Sequence, residues 1–160
     1  MHIWTIDKWR ENPYIVGSAR SGMRMRFDTD VHPSVKNSCK AFGKWLRTEY
    51  YFPIRVPIYV KSARTLRTKD GDYAVGCFFE PSDYVTEPYI RIATGDYTTL
   101  VRARGYDNAM TAILLSIAHE LTHYFQWING IHLTQIGYER QATMYSKYIL
   151  DEYSETRAHP

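Results

Sequence analysis

The chain has 160 residues, of which 44% are hydrophobic and 15% aromatic, which excludes disordered, fibrous and low-complexity classes and fits one globular domain. Two cysteines, Cys39 and Cys77, exclude a disulfide scaffold; two reduced thiols are the simpler reading, with a single bridge left open. The net charge of +3 hides an asymmetry, since residues 1–69 hold 14 Lys and Arg against 5 Asp and Glu, and residues 70–160 hold 6 against 12.

Taken in chain order, residues 1–32 match no recognisable pattern. Asp7, Lys8, Arg10 and Glu11 stand close together, so this segment lacks the apolar core of a secretory signal. No apolar run is long enough to span a bilayer. A cytoplasmic protein without membrane contact is therefore expected. Arg20, Arg24 and Arg26 form the densest basic cluster. It lacks interleaved aromatic residues, so internal neutralisation or a solvated face is favoured over nucleic-acid binding.

Pro33 fits a first helical turn, and Val35, Cys39, Phe42, Leu46 and Tyr50 recur at helical spacing through Tyr51, with Lys36, Lys40, Lys44 and Arg47 on the solvated side. Ile54, Val56, Ile58 and Val60 alternate with polar positions as a half-buried strand does, and Pro57 argues for an unpaired side there. Asp70-Gly71 signals a turn. Tyr73 to Glu80 and Tyr89 to Ala93 read as two further strands, after which helical patterns take over. Strands followed by helices indicate an α+β fold.

The stretch with the clearest chemistry is His119-Glu120-Leu121-Thr122-His123, inside a long amphipathic pattern. Asp107 or Asn108 offers an N-cap to that helix, and Asn129-Gly130 offers a stop. One turn separates the two histidines, so both imidazoles can reach a single ion, and Glu120 beside them can act as general base toward a metal-activated water. Two unrelated histidines with ordinary hydrogen bonds are the bland alternative. A third ligand is required, and Glu139 lies 16 residues past His123 near the start of a second helix running from about Thr134 to Tyr153. Ala142, three residues on, is small enough to let the helices approach. Glu152, Glu155 and His132 are the competing ligands, and a solvated Glu139 paired with Arg140 is the bland reading.

The pentad followed by Glu139-Arg140-Gln141-Ala142 resembles the gluzincins, and the short spacer and small size resemble the minigluzincins and ImmA/IrrE-like metallopeptidases. The motif match covers only about 119–142. The resemblance implies a compact zincin-like core over about 33–153: a backing helix, a small three-stranded twisted sheet, the motif helix and a C-terminal glutamate helix. It implies one Zn2+ held by His119, His123 and Glu139, with peptide bonds of a peptide or protein substrate hydrolysed and Glu120 as base. Tyr138, His132 and Tyr145 are candidate oxyanion donors by proximity in sequence. The strand bordering the cleft in zincins is an edge, which makes Tyr89, Ile90, Arg91, Ile92 and Ala93 the candidate substrate-pairing strand. Autoinhibition by a terminal segment is a further expectation: the polar tail 154–160 would bring His159 or the terminal carboxylate to the metal, or residues 1–32 would cover the cleft. A frayed tail is the favoured alternative. Two other classes compete with the endopeptidase: a latent or inactive zincin-fold binding module, and a basic nucleic-acid-associated protein whose metal site is structural. The intact Glu120 favours the enzyme.

Overall fold

The computed structural model describes residues 1–160 as an α+β protein, with five helices and a small mixed sheet. A 3-10 turn over Lys8–Glu11 leads into a single-turn helix α1 (Pro13–Val16) and strand β1 (Met23–Phe27). Helix α2 (Pro33–Glu49) follows, then strands β2 (Val56–Lys61), β3 (Leu66–Arg67), β4 (Tyr73–Ala74), β5 (Gly76–Phe79) and β6 (Tyr89–Ala93). Helices α3 (Tyr97–Arg104), α4 (Tyr106–Ile128) and α5 (Gln135–Ser154) complete the chain.

The sheet has four strands in the order β1-β2-β6-β5, rather than the three expected. β1, β2 and β6 run parallel, and β5 pairs antiparallel with β6. The extra strand comes from residues 1–32, which the sequence left unmatched. Met23 is buried, but Arg24 and Arg26 break the apolar run, so the strand is inconspicuous in isolation. The expected strand over Tyr73 to Glu80 is divided. Its first two residues pair with β3 around the Asp70-Gly71 turn, where Gly71 has φ +82°, and the remainder joins the main sheet. The ladder between β2 and β6 begins only at Ile58, and the amide of Val56 points to Gly22 on the β1 flank. The missing N–H of Pro57 therefore interrupts nothing.

One face of the sheet carries α2 and α4, and α5 packs on α4; no helix packs against the opposite face. Val35, Cys39, Phe42 and Leu46 are all fully buried, as their spacing predicts. Removing side chains such as Phe42 and Leu46 from water contributes about 1.5–3 kcal/mol each. His32 caps α2 by accepting from the Ser34 amide through Nδ1 at 3.1 Å. Thr134 caps α5 by accepting from Gly137 N at 3.0 Å. α4 starts earlier than expected: Gly105, with φ +84°, precedes it, so Asp107 and Asn108 lie in its first turn rather than capping it. Gly130, with φ +58°, ends it as predicted. α3 has no counterpart in the sequence reading, since its apolar positions form no clear stripe.

Residues 1–16 are part of the core. Ile3, Trp4 and Ile15 are buried, and the Trp4 indole donates to Thr122 Oγ1 on α4 at 3.0 Å while packing on Phe125. Cys39 and Cys77 are both free thiols, and burial pushes the Cys39 thiol up to about 12. No helix is long and apolar enough to cross a membrane.

Candidate metal centre

The α4–α5 packing brings three side chains to one point. Glu139 on α5 places Oε2 3.0 Å from His119 Nε2 and Oε1 3.1 Å from His123 Nε2. One ligand atom from each of the three lies within 4.8 Å of the others. Donors held about 2.0–2.1 Å from a tetrahedral ion stand roughly 3.3 Å apart, so this spacing suits a single metal ion. The donor chemistry suits it also: two imidazole nitrogens and a carboxylate form a borderline set that takes zinc and similar divalent ions. Burial and the neighbouring His123 lower the His119 pKa, which favours the neutral, ligating imidazole. Ala142 is fully buried at this junction, as a close helix approach requires.

The orientation of His123 has a visible cause. Gln126, one turn further along α4 and 3% exposed, donates through Nε2 to the Tyr138 carbonyl (3.1 Å) and to Gln141 Oε1 (2.9 Å). Those two bonds turn Oε1 toward His123 Nδ1, 2.8 Å away. An acceptor there places the ring proton on Nδ1 and leaves the Nε2 lone pair available to a metal ion shared with Glu139. Gln126 was missed in the sequence. The available signal was a lone polar residue, three positions after His123, within the apolar run of residues 124–128.

Glu120 is 8% exposed and borders the same cleft. Burial, reinforced by the charge of Glu139, pushes its carboxyl up to about 8. A cation between the three donors acts in the opposite sense and favours the carboxylate. Gly76 on β5 sits against it: a β-carbon there would lie 3.2 Å from Glu120 Oε1. The cleft measures about 870 Å³ and is bounded by β5 on one side and by α4 and α5 on the others.

Several expected site residues fall elsewhere. Tyr89–Ala93 is not an edge, because β6 is paired with β2 on one flank and β5 on the other. The free edge beside Glu120 belongs to β5, which returns antiparallel and so lies outside β6 despite preceding it in sequence. Of the oxyanion candidates, Tyr138 lines the cleft, but its hydroxyl donates to the Ile131 carbonyl at 2.7 Å. Tyr145 donates to the Met1 carbonyl, on a face of α5 turned to the N-terminus, and His132 is exposed in the α4–α5 turn; neither lines the cleft. Nor does either terminus. His159 lies 3.2 Å from Asp107 and Pro160 accepts from Ser38, which fixes the tail at the start of α4. Twelve residues of helix separate Asp107 from His119, about 18 Å at 1.5 Å per residue. Residues 1–32 supply a strand and core side chains instead of a cover.

Comparison with protein families, curated proteins and solved structures gives no match.

Proposed function

We propose that this protein is a cytoplasmic metal-dependent endopeptidase of zincin-like architecture, acting on a peptide or protein chain laid along β5. The observation that carries the reading is the convergence of His119, His123 and Glu139 beside a buried carboxylate in an open cleft. These three residues would hold one divalent ion, zinc by preference, whose bound state supplies Lewis acidity and makes water a competent nucleophile near neutral pH.

The chain's own residues do the rest. Glu120 takes the proton of the attacking water and returns it to the leaving amine. Gln126 keeps His123 in the tautomer and rotation that ligation needs. β5 offers an unpaired strand edge to which an extended substrate can add by main-chain hydrogen bonds, with Gly76 allowing close approach to Glu120. Tyr138 is committed to Ile131 and acts in shaping the cleft wall.

Metal analysis and proteolysis of an unfolded protein test this together. Glu120→Gln is expected to keep the metal and lose about 10²–10⁴-fold in rate, whereas Glu139→Ala loses both metal and activity. Full activity in Glu120→Gln, or an unchanged metal content in Glu139→Ala, removes the reading. A metal-loaded wild type that cuts no unfolded protein favours the latent binding module.

A further inference from the structure

The sheet face opposite the helices combines cations with flat rings. Strand register places Arg26 beside Tyr59 and Tyr59 beside Arg91 in one row across three strands. In the next row Arg24 lies beside Pro57, and Tyr89 beside Phe79. The Tyr59 and Tyr89 rings meet edge to face at 6.1 Å, and Tyr89 stacks on Phe79 at 4.9 Å with 16° between the planes. Lys69 holds its ammonium 4.6 Å over the Phe79 ring. Tyr59 is 38% exposed, and Arg24 and Arg26 are exposed.

The acids on this face are confined to its ends. Glu87 is taken by Arg55 at 2.6 Å, and Asp28 by Lys61 at 3.2 Å. No carboxylate forms an ion pair with Arg24 or Arg26. Arg91, in the middle of the face, donates to the Arg67 carbonyl at 3.1 Å, so the uncompensated positive charge lies on the β1 side, next to the exposed Tyr59 ring. A polyanion answers the charge, but only one with unpaired flat groups answers the rings as well, since bases within a duplex have no free faces.

We propose that this face binds single-stranded nucleic acid, with phosphates against Arg24 and Arg26 and a base stacked on Tyr59, whose ring the Tyr89–Phe79 pair supports from beside. None of these residues lines the metal cleft, so the surface stands independently of the peptidase reading.

The test uses the full, metal-loaded chain and fluorescence anisotropy with labelled mixed-sequence DNA and RNA strands of about 12 nucleotides, a length within one platform's reach, beside the matching duplex. Single strands of at least one kind are expected to bind more tightly than duplex. Arg24→Ala/Arg26→Ala should lower the log–log salt slope by about 1.4, at ~0.7 per phosphate contact. Tyr59→Ala should weaken binding about tenfold through one lost stack, while Tyr59→Phe, which retains the ring, keeps wild-type affinity. No single-strand binding at low salt overturns the proposal. So does duplex binding as tight as single-strand binding, an unchanged salt slope in the arginine variant, or equal losses in Tyr59→Ala and Tyr59→Phe. Circular dichroism of each variant confirms that the fold is intact before affinities are compared.

Discussion

Gly76 and Glu120 approach so closely that a β-carbon on Gly76 would lie 3.2 Å from both Cγ and Oε1 of the glutamate. The strand that borders the cleft thereby sets where the buried carboxylate can stand. Gly76→Ala is expected to push Glu120 off its position while leaving His119, His123 and Glu139 in place. Its kcat should fall about 10- to 100-fold, the usual consequence of misplacing a reacting group by a fraction of an ångström to an ångström. Metal content should be unchanged. Steady-state kinetics paired with metal analysis checks both halves, and an unaffected kcat would mean Glu120 has room to move.

Gln126 is a positioning residue for His123 through the 2.8 Å contact at Nδ1. Gln126→Leu preserves the volume and removes the acceptor. Metal affinity, measured by competition with a chelator, should weaken about 10- to 100-fold. The Tyr138 carbonyl and Gln141 also lose their donor, so a modest drop in thermal stability accompanies it.

Tyr124 joins α4 to the loop before β2: its hydroxyl donates to Ile54 O at 2.6 Å and accepts from Ile54 N at 3.0 Å, with the side chain fully buried. Tyr124→Phe strands both backbone groups away from water. A loss of about 2 kcal/mol is expected, which lowers Tm by roughly 4–8 °C for a chain of this size. Calorimetry of the metal-loaded protein measures it, and metal stoichiometry should stay as in the wild type.

Trp4 tests the role of the N-terminal segment. With 3% exposure, a hydrogen bond to Thr122 and a ring against Phe125, it behaves as a core residue. Trp4→Ala should destabilise by about 3–5 kcal/mol. Denaturant unfolding reads this as a lower midpoint at unchanged slope. A variant with full stability and raised peptidase activity would instead restore a covering role for the segment.

Local patterns in the sequence determined the helices and the heart of the site. Helical spacing is a property of a few consecutive residues, so the burial of Val35, Cys39, Phe42 and Leu46 follows from the chain itself. The one-turn separation of His119 and His123, the stop at Asn129-Gly130 and the start at Thr134 are local in the same way. Tertiary structure decided what depends on residues far apart in sequence. β5 returns antiparallel and takes the sheet's edge, which moves the substrate-pairing role away from Tyr89–Ala93. Gln126 gains meaning only because α5 delivers Tyr138 and Gln141 to it. Arg24 and Arg26 have no aromatic partner along the chain, yet Tyr59 and Tyr89 reach the same face from strands that pairing brings alongside. Strand neighbours are chosen by the burial of a whole face rather than by any one segment, which is why no reading of adjacent residues contains them.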